Sequence, residues 1–539
     1  MAREERVTVL IVGGGLGGVA AALAATERGA EVVLVEETGR LGGQLTSQAV
    51  PLDEHPWIER FGCTARYRRL RDGIREHYRA HYPLTPAARA RRHLNPGAAT
   101  VSALSAEPRA GLAVIDTLLA APRSSGRLRV LPGHAAVGAL VEDDRVLAVT
   151  IRDLETLRDR VVWADWVLDA TEEGDLLPLC EAEYVTGFES REDTGEPHAP
   201  PAAQPLNMQA VSACFAIDHL EGEDHTIERP AEYAHWRSQR PPGFPEGQLS
   251  FLVPDPRTNE PVARTLHPNP RGDPGEIGPD LADPRLDREL WVFRRIVARG
   301  NFVEGAFRSD VTLVNWPQID YLGGPVYEVP DAEAGRHRHA ARQLSLCLLH
   351  WLQTEAPRDD GGAGWPGLRL RGDVVGDTAD GIAPALYVRE SRRIRGEYTV
   401  VEQDVAFDVR GSHGAVPYPD SVGIGAYRID LHPSTGGDLY IDVACCPFRI
   451  PLGALVPVRL ENLLPAAKNI ATTHITNGAY RLHPVEWNIG EAAGHLAAFC
   501  AQRGTRPRAV RADPALLADF QRQLTRAGVE LSWPEVRAY

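Results

Sequence analysis

Four side chains near the C-terminal end have types suited to moving protons and steadying charge: His474, Tyr480, Arg481 and His483. A neutral imidazole can accept a proton from an alcohol or amine while that substrate gives up a hydride, which makes His474 and His483 candidate bases. The competing role for either is to satisfy backbone groups in a core loop. Arg481 offers a rigid guanidinium fork for a carboxylate, with Tyr480 beside it; a salt bridge to Glu486 is its alternative use. A second cationic cluster, Arg389, Arg392, Arg393 and Arg395, contains two candidates for contact with an anionic substrate, Arg392 and Arg393. An ion-pair lattice with Glu390 and Glu397 is the other reading of that cluster.

These residues need a reactive partner, and the N-terminal segment points to one. Val7–Val12 reads as a buried strand, Gly13, Gly15 and Gly18 satisfy G-x-G-x-x-G, and Val19–Arg28 reads as an alanine-rich helix closed by Gly29 before a second strand, Glu31–Glu36. The strand, turn and helix form a dinucleotide site. Gly13 permits the tight turn, Gly15 lets the backbone approach a pyrophosphate, and Gly18 permits close helix–strand packing, while the helix N-terminus aims N–H groups at the phosphates. Val12, Leu16 and Gly17 complete the turn, and Glu36, with Glu37 next to it, reaches the ribose hydroxyls.

Gly39-Arg40-Leu41-Gly42-Gly43-Gln44 resembles the second glycine pair of the glutathione-reductase-type flavoproteins, which runs beside the FAD pyrophosphate and ribityl chain. The resemblance implies FAD rather than NAD, with Arg40, Gly42, Gly43, Gln44 and Leu45 as cofactor contacts. Val167-Leu168-Asp169-Ala170-Thr171 followed by Gly174-Asp175 is similar to the strand end that re-enters the FAD domain. It adds Ala170, Thr171 and Gly174, and Val137 in the preceding β-meander, although Glu172-Glu173 departs from the simplest form of that motif. Asn462–Ile470 resembles the strand returning under the flavin, and Asn488-Ile489-Gly490-Glu491 the start of the closing helix. That places Asn488, Ile489 and Gly490 at the flavin pyrimidine end. Segments such as Leu45–Gln48, Arg389–Thr399 and Thr473-His474 extend the resemblance over nearly the whole chain. There is no second G-x-G-x-x-G and no Cys-x4-Cys redox pair.

The resulting expectation is an α/β protein: a Rossmann-like, glutathione-reductase-type FAD domain with an inserted α+β substrate domain. The FAD domain spans 1–188 and 458–505, with a helical excursion over 55–120 and a β-meander over 127–151. The inserted domain spans 189–457, and a helical tail covers 506–539. Within these parts, helices are expected toward Tyr67–Tyr82 and over Ala110–Ala121 and His337–Thr354. Short strands are expected at Leu128–Leu131, Ala136–Val141 and Arg145–Ile151, and Glu189–Asp287 reads as loop-rich.

Bulk properties narrow the partners. The net charge of −15 over 539 residues leaves no general basic surface for nucleic acid. The apolar run Val7–Ala25 is broken by glycines, so no membrane span is expected. Seven cysteines without metal-ligand spacing point to a reducing cytoplasm and no metal. For the adjacent Cys445 and Cys446, opposite faces of a strand and a strained disulfide are the two readings. His55 and Cys63 follow the flavin-proximal loop and either could attach covalently to the flavin.

The functional expectation is hydride removal from a small polar organic substrate onto non-covalent FAD, with electrons passing to oxygen, a quinone or a carrier. A flavin monooxygenase using NAD(P)H and a binding subunit with structural FAD are the alternatives. A homo-oligomeric state is compatible with this reading.

Overall fold

The computed structural model describes residues 3–270, 288–534, 536 and 538; residues 271–287 of the loop-rich stretch lie outside the described residues. The main sheet starts from β1 (Arg3–Val12) and β2 (Val32–Glu36), paired in parallel and joined by helix α1 (Leu16–Glu27). Every residue of β2 is buried, as expected of a parallel strand covered on both faces.

β3 (Leu128–Pro132) extends the sheet beyond β2, in parallel register from Val32↔Leu128 to Glu36↔Pro132. This corrects the expectation that Leu128–Leu131 belongs to the meander. The meander consists of β4 (His134–Glu142), β5 (Arg145–Asp153) and β6 (Asp159–Asp169), all antiparallel to their sequence neighbours. The eleven-residue β6 lies parallel to β1 and divides its other edge between two partners: Asp159–Trp163 pairs with β5, and Val167–Asp169 pairs in parallel with a closing strand, Leu463–Pro465. Residues nearly three hundred positions apart are thereby joined at the C-terminal end of the sheet, the usual ligand side of an open α/β layer.

Helix α1 is buried along almost its whole length because the sheet covers one side and the closing helix, His483–Arg503, the other. Its small side chains make that possible. The helices meet backbone to backbone at Gly17 and Gly490, where a Cβ built on Gly490 would lie 2.0 Å from the Gly17 carbonyl oxygen. The closing helix begins at His483, five residues before the expected Asn488. Leu482 is extended and Pro484, which has no N–H of its own, fits the first turn.

The helical excursion contains α2 (Ala65–His81), capped by Thr64, and the helix Pro108–Ser124. A second apolar cluster, running from Met208 to Val388, packs the helix Asp331–Thr354 close to a four-stranded antiparallel sheet made from Arg295–Val297, Val311–Val314, Phe215–His219 and Leu368–Leu370. The helix begins six residues earlier than its apolar pattern suggests, after Pro330, with Asp331 and Glu333 complementing the N-terminal dipole. Apolar residues from Ile394 to Val456 pack instead into the cluster that holds β1, β2, α1 and the closing helix. The expected inserted segment 189–457 therefore contributes to two cores. Two helices, Pro507–Ala512 and Pro514–Arg526, form the tail. No helix among the described residues is long and apolar enough to cross a membrane.

Candidate active site

The glycine turn is built by backbone geometry. Gly13 has φ of +101°, and a Cβ there would fall 2.1 Å from the Ala170 carbonyl oxygen at the end of β6, so only glycine fits. α1 then starts at Leu16, and its N-cap residue, Gly15, has no side chain to cap it. Glu36, at the end of β2, accepts hydrogen bonds from the Gly14 N–H at 2.7 Å, the Thr38 N–H at 2.8 Å and the Thr38 hydroxyl at 2.6 Å. Burial pushes its carboxyl up to about 7 against those bonds. Gly42 follows, its N–H bonded to the Gly14 carbonyl at 2.7 Å, which brings the Gly42–Leu45 segment back over the turn.

The turn fits a dinucleotide cofactor. A Cβ on Gly15 would meet no backbone atom closer than 3.9 Å, and its nearer neighbours are the carboxylate ends of Glu172 and Glu486. Around the same loop the amide oxygen of Gln44 and both amide atoms of Gln48 are buried without partners, as expected where a polar ligand completes the bonding. Glu486 occupies the phosphate end of α1, accepting the Gly17 N–H at 3.2 Å. Burial, and then the Glu172 carboxylate, raise its pKa, which favours a neutral acid beside a pyrophosphate. Lys468, wholly buried and ion-paired with Glu172, supplies the local positive charge.

The other expected cofactor residues divide by position. Thr171 donates its hydroxyl to Asp169 at 2.7 Å and accepts the Asp175 N–H at 2.7 Å, so the β6 end is a closed turn, while Gly174 with φ of +71° packs against Arg392. Val137 is exposed at a register shift in β4, and Glu37 is exposed, with Arg40 half-buried, at the rim. Asn488, Ile489 and Gly490 fall in the second turn of the closing helix, past its N-terminus. Asn488 bonds the Ile424 N–H at 3.2 Å and the Val422 carbonyl at 3.4 Å, and Ile489 is in the core. Their expected place at the helix N-terminus is taken by His483, Pro484, Val485 and Glu486.

The candidate catalytic residues are separated in the same way. His474 stacks on Phe188 at 3.7 Å, and its Nδ1 lies 2.9 Å from Glu390. Burial alone would raise Glu390, but His474 and Arg393 outweigh it and hold that carboxyl at about 2. Arg393 also bonds Glu189 at 2.9 Å and two carbonyls, while Arg392 binds Glu328 at 2.6 Å and Asp175 at 3.0 Å. The pair is thus an ion-pair lattice, which leaves neither guanidinium free for a substrate. Tyr480 stacks on Phe448 and donates to the Arg449 carbonyl at 2.9 Å. His483 accepts the Asp53 N–H at Nδ1, 3.1 Å away, and faces the Val50 carbonyl with Nε2 at 3.3 Å. Both its nitrogens serve the backbone, and burial lowers it to about 4.

His55 is held by the Gly62 carbonyl at 3.0 Å under the Trp533 ring, and burial raises the Cys63 thiol to about 12, which disfavours the thiolate. All seven cysteines are free; Cys445 and Cys446 lie between strands rather than within one.

Arg481 has a different setting. It lines a cavity of about 220 Å³ together with Asp53, Arg294, Tyr387, Arg389, Asp430 and His432. It bonds Tyr387 at 2.7 Å and Asp430 at 3.1 Å, not Glu486 as its alternative reading had it. Its carbonyl accepts the Gln44 amide at 3.0 Å, and the same amide nitrogen bonds Glu486. One glutamine side chain therefore bridges the cavity wall and the glycine turn. His432, Arg294 and Lys468 have no local sequence signal, since their partners Asp320, Asp53 and Glu172 are far away in the chain.

The fold and turn define a dinucleotide-binding α/β class. The chain matches the family described as FAD dependent oxidoreductase over residues 8–524 and belongs to it. That family is one of FAD-dependent oxidoreductases, with FAD as the cofactor. None of the curated proteins matches it. Similar solved structures include the flavin-dependent monooxygenase PieE in complex with FAD and substrate (19% identity, 40% of this chain and 36% of that one, TM-score 0.25). L-proline dehydrogenase from P. horikoshii (15%, 35% and 26%, 0.19) and glycerol-3-phosphate dehydrogenase from Bacillus halodurans complexed with FAD (15%, 40% and 40%, 0.24) are others. The chain spans well under two thirds of the length of each of these structures.

Proposed function

We propose that the protein removes a hydride from a small polar organic molecule held in the 220 Å³ cavity, with FAD bound non-covalently in the glutathione-reductase-type arrangement. The observation that carries this reading is the Gln44 bridge, which joins the cavity wall at Arg481 to the Glu486 carboxyl at the glycine turn. FAD, when bound, supplies the two-electron acceptor. The chain's own residues do the rest: Glu36 accepts from ribose hydroxyls, the N–H groups at the N-terminus of α1 take the phosphates beside Glu486, and the amides of Gln44 and Gln48 have atoms to offer the remainder of the cofactor. The parallel order β3-β2-β1-β6 with the closing strand, interrupted by the antiparallel meander, supports the glutathione-reductase type. Non-covalent retention is supported by the hydrogen bond and aromatic packing that hold His55 and by the raised thiol of Cys63.

The test is the visible spectrum of the purified protein, followed by acid release of the chromophore and anaerobic bleaching with small alcohols and amines. Free FAD in the supernatant and bleaching by an organic substrate are the expected results. Bleaching by NADPH without substrate would replace this reading with that of a monooxygenase, and a colourless protein that refuses added FAD would refute it.

A further inference from the structure

The cavity beside Gln44 has a donor-rich wall whose acids are already committed. Asp53 is paired with Arg294 at 3.1 Å, Glu54 with Arg71 at 2.8 Å and Asp430 with Arg481 at 3.1 Å; Asp442 is paired with Arg428, and Asp255 accepts the Arg257 and Thr258 N–H groups of its own turn. Three lining guanidiniums, those of Arg294, Arg389 and Arg481, each retain an Nε–H with no acceptor. The Arg389 and Arg481 side chains are only 1% and 3% exposed, so bulk water does not compensate them. A guanidinium donates and never accepts, so the occupant that matches a cavity walled by these three arginines brings acceptor oxygens, and a carboxylate brings two.

His432 lines the same cavity and is oriented from behind. Its Nδ1 lies 2.6 Å from Asp320, which is itself held by Arg389 at 2.9 Å and the Ser212 hydroxyl at 2.8 Å. Asp320 fixes the proton on Nδ1 and leaves Nε2 as the lone-pair nitrogen, whose nearest acid is Asp430 at 3.9 Å. Burial and Arg389 lower the pKa of His432 against the pull of Asp320 and Asp430, which favours the neutral, proton-accepting form; Tyr440 completes the groups facing the ring.

We propose that this cavity binds a small hydroxycarboxylate, its carboxylate on the arginine wall and its hydroxyl on His432 Nε2, and that His432 takes the hydroxyl proton during oxidation. The inference rests on the reading of the cavity as the substrate site. The hydroxyl O–H bond breaks, a proton bond forms at Nε2, and the two electrons and the carbon-bound hydrogen leave together as the hydride that the family's oxidised cofactor accepts. The product is the corresponding oxocarboxylate. A cavity of 220 Å³ restricts the substrate to a few carbons, below the range that holds drug-sized ligands.

The test is calorimetric titration of the FAD-loaded protein with glycolate, lactate, glycerate and malate, alongside propionate, which lacks the hydroxyl, and propane-1,2-diol, which lacks the carboxylate. At least one hydroxycarboxylate should bind ten times or more tighter than the diol, and propionate should bind without bleaching the visible spectrum. His432→Gln should keep that binding within about threefold while slowing anaerobic bleaching by about 100-fold or more, and it should lose the acid limb of the rate profile. Asp320→Asn, which preserves shape, should shift that limb and keep the binding. Equal binding of diol and hydroxycarboxylates, no heat from any of the four, or unchanged bleaching in a folded His432→Gln protein would overturn the proposal. The FAD reading would survive each of these outcomes, because it is read from the released chromophore.

Discussion

Replacing Gly490 by alanine should damage both stability and cofactor binding, although Gly490 touches the site only through another helix. A Cβ at this position would lie 2.0 Å from the Gly17 carbonyl oxygen and 2.5 Å from the Gly17 carbonyl carbon and Cα. Ordinary contact between such atoms is about 3.2 Å or more, so the closing helix and α1 must part by about 1 Å. Neither helix has room to do so freely, because both are buried and α1 also lies against the sheet. Overpacking of this kind costs on the order of 3 kcal/mol. The same movement displaces the Gly17 N–H from its place at the N-terminus of α1, and a shift near 1 Å in a positioning group can cost about 100-fold.

Urea unfolding of the apoprotein, followed by fluorescence and circular dichroism, would measure the first effect, and flavin-quenching titration the second. Gly39→Ala is the control: nothing lies within 4 Å of its added Cβ and its φ is not positive, so its stability should stay within about 0.5 kcal/mol of the parent. A Gly490→Ala protein with the parental midpoint and FAD affinity would refute the close-crossing argument, as would a Gly39→Ala protein that loses as much.

Two further outcomes are expected from the buried charges. Lys468, the single lysine among 539 residues, balances Glu172 beside the Glu486 carboxyl; Lys468→Met should cost about 3–5 kcal/mol, and Lys468→Met with Glu172→Gln should recover most of it, so a double variant as unstable as the single one would deny the pairing. Glu36 is raised to about 7, above its unfolded value, so it contributes stability that is present at low pH and lost as pH rises through about 7. The apoprotein of Glu36→Gln should therefore gain on the parent, by on the order of 3 kcal/mol, between about pH 4 and about pH 8; a constant difference in urea midpoint across that range would contradict the assigned burial effect.

The N-terminal strand, glycine turn, helix and acid were legible in the sequence because every interaction that defines them is local. Gly13, Gly15, Gly18 and Glu36 lie within 24 positions, and period and turn chemistry dictate where each must be. The family resemblance likewise pointed to FAD, and the family match over residues 8–524 agrees. The start of the closing helix was misplaced because burial runs unbroken through it, Arg481, His483, Glu486 and Asn488 included, so no apolar periodicity marks the boundary and only the extended Leu482 before Pro484 does.

Which polar side chains face a shared space was decided by tertiary structure. Sequence proximity groups His474, Tyr480, Arg481 and His483, yet only Arg481 lines the cavity; His474 is committed to Glu390, Tyr480 to Phe448 and His483 to the backbone of Val50 and Asp53. His432 owes its orientation to Asp320, 112 residues away, and Arg294 owes its partner to Asp53, 241 residues away. A side chain's charge state and free valences depend on what burial brings against it, and that neighbourhood comes from chain segments whose separation no local pattern records.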